Sequence, residues 1–254
     1  MLVAYTRAVS ATLADCELTH LPREPLDVGR AMLEHHAYER LLAELGITVR
    51  HLMPTPELPD AVFVEDTAVV LDEIAVITRP GAPSRRPETA SVAAVLATHR
   101  PLVFIEAPAT LDGGDVLVAG RRVYVGLSTR TNSEAVTQLT RALLPHDYAV
   151  IPVEFTGCLH LKSAVTQVNA ETLLLNPDWI DIHQFEGFQA LHVDPREPQA
   201  ANAMRIQDTV IFPAHLPATR ARLEAAGLHI APLTMLELAK AEAGVTCCSL
   251  LLRS

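Results

Sequence analysis

Polar residues able to carry out nucleophilic chemistry recur along this chain at, or just before, the starts of successive predicted strands. They are carboxylates, a histidine and a thiol: Glu65, Asp66, Asp112, Asp115, His160 and Cys247. A thiolate attacks electrophilic carbon, a histidine of near-neutral pKa exchanges protons, and carboxylates pair with a cation. Brought to one point, these side chains would form a nucleophilic site suited to a cationic substrate.

Cys247 is the candidate nucleophile of this set. Most free cysteines are small buried hydrophobic residues, and that is the default interpretation of a lone cysteine ahead of a strand. Its place at a strand start, matched by the distant His160, favours a nucleophile instead. Cys248 alternates to the other face of the predicted strand and is assigned to packing. Cys16 and Cys158 are interpreted as structural.

The strand starts recur with a period. Hairpin patterns begin near residues 66, 115, 163 and 204 and a last strand near 248, so the starts are 41 to 49 residues apart. Such a period is typical of a repeat architecture in which equivalent positions converge on an axis. Helices are predicted over 27–46, after Pro87, from Asn132 or Ser133, and after Pro217, each followed by a further strand.

The predicted repeat unit is strand–strand–helix–strand. It is clear over 66–106, 115–154 and 204–233, whereas in 163–200 a loop rich in Trp, His and Phe, interpreted as packed, replaces the helix. One half-unit remains at each end of the chain, and pairing the two terminal strands would remove open sheet edges. The expected fold is therefore α/β, with five ββαβ modules around an axis in a single domain over residues 1–254.

The composition is that of an acidic globular protein, with 49% hydrophobic residues and a formal net charge of −10 in 254 residues. Nucleic-acid binding is disfavoured, because neutralising phosphates needs a surplus of Lys and Arg. No apolar run approaches the roughly 18–20 residues of a membrane span, and no secretory signal is expected. The four cysteines suggest no disulfide framework, which favours a reducing cytoplasm.

Six segments, in order along the chain, resemble the dimethylarginine dimethylaminohydrolase family. They are Leu58–Thr67, Thr78–Arg86, Thr110–Val116, Val125–Asn132, Leu159–Ser163 and Thr246–Ser249. The resemblance implies the five-bladed α/β propeller with pseudo-fivefold symmetry of the guanidino-group-modifying (pentein) superfamily. It also implies a hydrolase of the EC 3.5.3 type that converts N-omega-methylated arginine to citrulline and a methylamine. No cofactor and no metal are required, and a homodimer is expected.

The resemblance assigns the chemistry to Cys247, His160 and Asp112. The thiolate attacks the guanidinium carbon, His160 protonates the departing amine and then activates water, and a covalent S-alkylthiouronium is hydrolysed. A planar guanidinium pairs best with carboxylates, an α-carboxylate with arginines, and an amino group with a carboxylate and backbone carbonyls. By resemblance, the substrate-binding residues from the guanidinium end onward are Asp66, Glu65, Asp60, Leu18, Ala241, Arg85 and Arg130.

Other functions are weighed against this one. An arginine deiminase-like enzyme would release ammonia with the same residues, and an amidinotransferase would resolve the thiouronium with an amine. The short chain and the Thr110–Asp115 segment favour the hydrolase. A non-catalytic arginine-binding protein has no need of a thiol. A cysteine peptidase fits poorly, since carboxylates around the thiol suit a cation rather than a neutral amide.

Overall fold

The structure, a computed structural model, describes residues 2–253, so the predicted domain limits at 1 and 254 lie outside the described residues. The strands, in chain order, are β1 (Leu2–Thr6), β2 (Thr48–His51), β3 (Ala68–Val70), β4 (Ala75–Ile77), β5 (Leu102–Phe104), β6 (Val116–Ala119), β7 (Arg122–Leu127), β8 (Ala149–Glu154), β9 (Val165–Gln167), β10 (Thr172–Leu175), β11 (Gln189–His192), β12 (Met204–Ile206), β13 (Thr209–Pro213), β14 (His229–Leu233) and β15 (Leu250–Arg253). The α-helices are α1 (Val28–Glu44), α2 (Thr89–Leu96), α3 (Ser133–Leu143), α4 (Leu161–Ala164), α5 (Pro217–Ala225) and α6 (Leu236–Ala239).

These strands form five three-stranded sheets with one shared scheme. The orders are β3-β4-β5, β6-β7-β8, β9-β10-β11, β12-β13-β14 and β15-β1-β2. In each sheet the first strand is antiparallel to the middle strand, which is parallel to the third. The predicted pairing of the chain ends is confirmed, since Leu2 lies opposite Arg253 and Tyr5 opposite Leu250.

The longer helices begin where their capping residues predict. The side chain of Asp27 accepts a hydrogen bond from the amide of Arg30, and that of Asn132 accepts one from Ala135. Such N-caps satisfy backbone donors that the first helical turn leaves free. After α1 the chain turns at Gly46, whose φ of 81° favours glycine. The caps and turns predicted from the sequence are therefore present.

The first strands of three sheets begin later than predicted, because a short helical turn precedes each of them. Turns at Val64–Thr67 and Gly113–Asp115 lead into β3 and β6, and α4 leads into β9. The Thr67 hydroxyl donates to the Val64 carbonyl within the first turn, which extended backbone would not allow. Glu65, Asp66 and Asp115 thus lie on these turns, and Asp112 and His160 lie directly ahead of them.

Two further differences concern the ends of predicted strands. The last strand begins at Leu250 rather than at Cys248, which is buried in the preceding turn. The segment without a helix contributes a third strand, β11, that the sequence pattern did not predict. Packing of this segment is confirmed: the Phe185 ring lies 4.7 Å from that of Tyr124, between centroids, and Phe185 is buried.

Buried apolar side chains form five clusters in the described part of the chain, each joining sheets that follow one another. One cluster joins β1 and β15 to β4 and α2, with Tyr5, Ile77 and Leu252 among its members. Another joins the sheet of β12–β14 back to β1 and α1, with Met204 and Tyr38 among its members. Among residues 2–253, no helix has the length and apolar character needed to cross a bilayer.

The pairing of the chain ends predicts a large effect of truncating a side chain in β15. Leu252 is 1% exposed, so Leu252→Ala should lower the free energy of unfolding by about 2–5 kcal/mol through lost burial and a cavity. Denaturant unfolding measures this change. Arg253→Ala alters the neighbouring exposed side chain and should change the free energy by no more than about 0.5 kcal/mol. Equal small effects from both would contradict the pairing.

Candidate active site

A narrow cavity of about 20 Å³ collects most of the residues predicted for the site. It is lined by seven of them: Cys247, His160, Asp66, Asp60, Arg85, Arg130 and Ala241. Asp112 lies directly behind His160, while Glu65 and Leu18 are not among the lining residues. The predicted convergence of thiol, histidine and carboxylate is thus present.

Asp112 orients His160 from behind the cavity. Nε2 of His160 donates to Oδ2 of Asp112 over 3.0 Å, and Oδ1 of Asp112 accepts from the Gly81 amide over 2.9 Å. Asp112 is completely buried, so its carboxylate meets the imidazole rather than the cavity space. On the other side of the ring, Nδ1 lies 3.9 Å from Oδ1 of Asp66.

The charges around His160 favour its protonated form. Burial alone lowers the pKa of His160, but Asp66, the hydrogen bond to Asp112, and Asp115 outweigh burial and raise it to about 9. An imidazolium is therefore present at neutral pH and has a proton to donate. Asp115 serves structure, since its carboxylate accepts from the Ser128 hydroxyl and from the Leu161 amide.

The thiol of Cys247 is held in its neutral form in this state. Burial, followed by the negative charges of Glu65 and Asp66, raises the pKa of Cys247 to about 12. The amide of Gly244 opposes this shift by donating to Sγ over 3.2 Å. A cation entering the cavity would favour the thiolate, because an opposite charge nearby stabilises the ionised form.

Asp66 is ionised, and its position depends on a glycine. Burial raises the pKa of Asp66, but His160 and Arg85 outweigh it and lower the value to about 2. Oδ1 accepts from the Gly114 amide over 2.8 Å. A Cβ at Gly114 would lie 2.6 Å from Nδ1 of His160 and 2.8 Å from Oδ1 of Asp66, so only glycine fits there.

The two arginines predicted to bind the α-carboxylate differ in how many of their N–H donors are already hydrogen-bonded within the protein. Arg85 is buried and donates to Asp66 over 2.6 Å, to both oxygens of Glu88, and to the carbonyls of Asp60 and Phe63. Most of its N–H donors are therefore satisfied within the protein.

Arg130 makes fewer contacts in the same cavity. Its Nη2 donates to the Thr19 hydroxyl over 3.1 Å, and Nη1 lies 3.9 Å from Oδ2 of Asp112. Asp60 accepts the Glu17 amide on both carboxylate oxygens at 3.2 Å. The cavity thus offers one arginine with free donors and one carboxylate held by backbone.

Glu65 belongs to a separate buried network. Its carboxylate lies 2.5 Å from Nζ of Lys162 and accepts from the Thr246 hydroxyl over 2.7 Å. Its amide donates to the Cys247 carbonyl over 3.1 Å. Leu18 does not line the cavity, whereas its neighbour Glu17 does.

Several residues that build the site were missed by sequence reasoning. Glu88 follows Arg85 by three residues on a helical turn, a spacing that places two side chains together and could have revealed the pair. Lys162 lies inside the Leu159–Ser163 segment but faces Glu65, almost a hundred residues earlier in the chain. Gly244 contacts the thiol through its backbone, so no side-chain pattern indicates its role.

One group of side chains in residues 2–253 has the spacing to hold a metal ion. The ligand atoms of Asp66, Asp112 and His160 all lie within 4.8 Å of one another. Cys247 is not part of that group. The imidazole of His160 lies between these two carboxylates, and only Asp66 of the pair lines the cavity where a cation could meet it.

A family model described as "N,N dimethylarginine dimethylhydrolase, eukaryotic" matches residues 24–194, about two thirds of the chain. The chain belongs to the dimethylarginine dimethylaminohydrolase family. Relatives named N(G),N(G)-dimethylarginine dimethylaminohydrolase include one from Streptomyces coelicolor, 37% identical over 98% of this chain and 96% of its own. Another, from Pseudomonas aeruginosa, is 33% identical over 88% of this chain and 89% of its own. The resemblance found in the sequence is confirmed.

Solved structures of the dimethylarginine dimethylaminohydrolase family agree with the fold. The Pseudomonas aeruginosa enzyme, as a cysteine-to-serine mutant complexed with citrulline, superposes with a TM-score of 0.93 at 31% identity, covering 98% of both chains. A histidine-to-glycine dimethylarginine dimethylaminohydrolase carrying an adduct of S-methyl-L-thiocitrulline gives the same TM-score at 31% identity, over 99% of this chain and all of that one. The chain therefore has the α/β pentein fold.

The Asp112 contact predicts a change in the titration of His160. Asp112→Asn removes a negative charge from Nε2 while keeping the shape of the side chain, so the imidazolium loses stabilisation. We expect the pKa of His160 to fall from about 9 by about 1 to 3 units. Imidazole resonances followed by NMR across pH would measure the shift.

Asp194→Asn is the matched control for this titration. Asp194 pairs with Arg196 and Arg222, outside the cavity, and its loss should leave His160 unchanged. An unshifted pKa in Asp112→Asn would show that Asp66 and Asp115 alone maintain the imidazolium.

Proposed function

We propose that this chain hydrolyses N-omega-methylated arginine, asymmetric dimethylarginine and monomethylarginine, to citrulline and a methylamine. The observation that carries the proposal is the meeting of Cys247, an imidazolium at His160 and ionised Asp66 in one cavity. Asp60 and Arg130 line that cavity too and supply opposite charges for an amino acid. Family membership and the citrulline complex of a relative support the same substrate class.

The proposed reaction forms and breaks one bond to sulfur. As the substrate cation binds, it stabilises the Cys247 thiolate, the thiol proton passes to solvent, and the sulfur attacks the guanidinium carbon. As the C–N bond breaks, His160 gives its proton to the departing dimethylamine and becomes neutral. It then takes a proton from water, and the resulting hydroxide attacks the S-alkylthiouronium. The C–S bond breaks and the proton of the added hydroxyl returns to the sulfur, which releases citrulline, restores the Cys247 thiol and leaves His160 protonated.

The surrounding residues would hold the substrate and the imidazole. We assign Asp112 to orienting His160 and Asp66 to the guanidinium. Asp60 and the carbonyl of Ala241, both in the cavity lining, are assigned to the amino group, and the Leu18 carbonyl, next to the lining residue Glu17, stays a prediction from the family resemblance.

The two arginines have different roles in this proposal. Arg130, whose donors are largely free, binds the α-carboxylate, and Arg85 supports Asp66 through its 2.6 Å ion pair. Glu65 is paired with Lys162, and its amide donates to the Cys247 carbonyl. We therefore assign it to holding the segment that carries the thiol rather than to binding substrate.

We further propose that the five sheets form a five-bladed α/β propeller with pseudo-fivefold symmetry, one domain closed by the pairing of β1 and β15. Support comes from the shared strand scheme and from the two apolar clusters that join the sheet of β15, β1 and β2 to the sheets on either side of it, β12–β14 and β3–β5. Location in the cytoplasm and assembly as a homodimer stay predictions. The expectation that catalysis needs no cofactor is part of the mechanism above.

The first prediction from this function concerns substrate choice. Wild-type protein should release citrulline from asymmetric dimethylarginine faster than from arginine, and Cys247→Ser should abolish release while binding is retained. Colorimetric citrulline measurement with both substrates in parallel tests this.

Cys158→Ser is the matched control, because this half-buried thiol does not line the cavity and a serine hydroxyl can keep its hydrogen bond to the His160 carbonyl. It should keep activity. A preference for arginine would indicate a deiminase, and no citrulline from either substrate would refute the proposed function.

A second prediction tests whether Arg130 binds the α-carboxylate of the substrate rather than acting in the chemical step. Arg130→Met removes the donors assigned to the α-carboxylate, so kcat/KM for methylarginine should fall about 10- to 100-fold, mainly through KM. An N-methylated substrate analogue without the carboxylate should be turned over equally by both proteins.

Arg86→Met is its matched control. Arg86 donates to the Pro80 carbonyl and is not among the cavity-lining residues, so its loss should leave both substrates unaffected. An equal loss with and without the carboxylate in Arg130→Met would instead place Arg130 on the catalytic centre through Asp112.

A further inference from the structure

The turn that carries the thiol is closed by a hydrogen bond to the sulfur itself. The amide of Gly244 donates to Sγ of Cys247 over 3.2 Å, and the Cys247 amide donates to the Gly244 carbonyl over 3.2 Å. A thiolate accepts such a bond more strongly than a thiol does, because hydrogen bonds to ionised acceptors are the stronger ones. The orientation of one backbone amide therefore bears on the ionisation of the sulfur.

Asn202 holds this turn from the outside through both ends of its amide. Its Nδ2 donates to the Thr246 hydroxyl over 3.0 Å, and its Oδ1 accepts from the Thr246 amide over 3.2 Å. Nδ2 also donates to the Lys162 carbonyl over 3.0 Å, two residues beyond His160. One side chain thus connects the segments that carry the thiol and the histidine.

The same side chain packs directly against Gly244. A Cβ at Gly244 would lie 2.3 Å from both Cγ and Oδ1 of Asn202 and 2.8 Å from its Cβ. The turn is therefore in close contact with Asn202 at Gly244 and hydrogen-bonded to it at Thr246, while Cys247 follows immediately. A shift of Asn202 would release the peptide that points at the sulfur.

We propose that Asn202 is a positioning residue that holds the Gly244 amide against the sulfur of Cys247. The proposal rests on the proposed function, in which that sulfur is the nucleophile. Asn202 itself is not among the residues that line the catalytic cavity. It acts through the turn and not on the substrate.

The hydrogen bond has a measurable consequence for thiol reactivity. Without the Gly244 amide at Sγ, the thiolate loses a stabilising partner and a smaller fraction of Cys247 is ionised at a given pH. Alkylation by iodoacetamide proceeds through the thiolate, so its rate follows that fraction. Truncating Asn202 widens access to the turn, so slower labelling would not result from obstruction.

The test compares iodoacetamide labelling of Cys247 in the wild type and in Asn202→Ala between pH 7 and 10, followed site by site with mass spectrometry. We expect labelling of Cys247 to slow about tenfold, as a displacement of the rate–pH profile by about one unit to higher pH. Citrulline release from asymmetric dimethylarginine should fall with it, mainly in kcat.

Matched variants separate positioning from a loss of structure. Asn176→Ala removes another buried asparagine that bonds a turn, through the Asp178 amide and the Pro198 carbonyl, and should leave the profile of Cys247 unchanged. Thr246→Val keeps the shape of its side chain but loses the hydroxyl that accepts from Asn202 and donates to Glu65, so Glu65→Gln is measured beside it to separate the two contacts. Thr246→Val should slow labelling too, and its combination with Asn202→Ala should be less than additive.

The buried thiols report on the fold in the same samples. Cys16 and Cys248 should stay unlabelled in every variant. If Asn202→Ala exposes them, the variant has lost structure and Thr246→Val decides the question. An unchanged profile in the folded variants, or an equal displacement in Asn176→Ala, would overturn the proposal. Labelling is read without turnover, so failure to release citrulline refutes the proposed function separately.

Discussion

A buried series of alternating charges is the constraint on which this site depends. Glu88, Arg85, Asp66, His160 and Asp112 follow one another with opposite signs, in contacts of 2.6–3.9 Å. Removing such ions from water costs several kcal/mol each, and only well-placed partners offset that cost. Backbone amides complete the set by donating to Oδ1 of each aspartate, Gly114 to Asp66 and Gly81 to Asp112. Any break in the series leaves an unpaired buried charge, so the geometry of the site and the stability of the fold are tied together.

This series can form only because different repeat units deliver its members to one point. The turn before β3 supplies Asp66, the residue just ahead of the turn before β6 is Asp112, and His160 immediately precedes α4. Each of these turns leads into the first strand of its sheet, so equivalent positions of three sheets meet. Apolar clusters between consecutive sheets fix their relative positions to the tolerance that 3 Å hydrogen bonds require.

Periodicity and capping made much of this arrangement predictable from the sequence. The repeat and the helix starts follow from local pattern, because caps and strand alternation involve near neighbours, and the paired termini follow from the half-unit that the repeat leaves at each end. Glu65 shows where that reasoning ends: its sequence neighbour Asp66 faces the cavity, whereas Glu65 pairs with Lys162, almost a hundred residues away. The direction of a side chain on a helical turn depends on such distant partners. The sequence pattern likewise predicts strands where these turns lie, and the resemblance predicts that Arg85 binds substrate, whereas its donors meet Asp66 and Glu88.

The resting charges explain why such a site would act on cations. Cys247 is a thiol beside carboxylates that oppose its ionisation, while the imidazolium of His160 is stabilised by the same carboxylates. A neutral amide entering the cavity would leave that balance unchanged and would meet an unreactive thiol. A guanidinium offsets the negative charge around the sulfur and leaves the proton on His160, where the departing amine needs it. The carboxylates that suppress ionisation of the nucleophile therefore couple its activation to the arrival of a positively charged substrate.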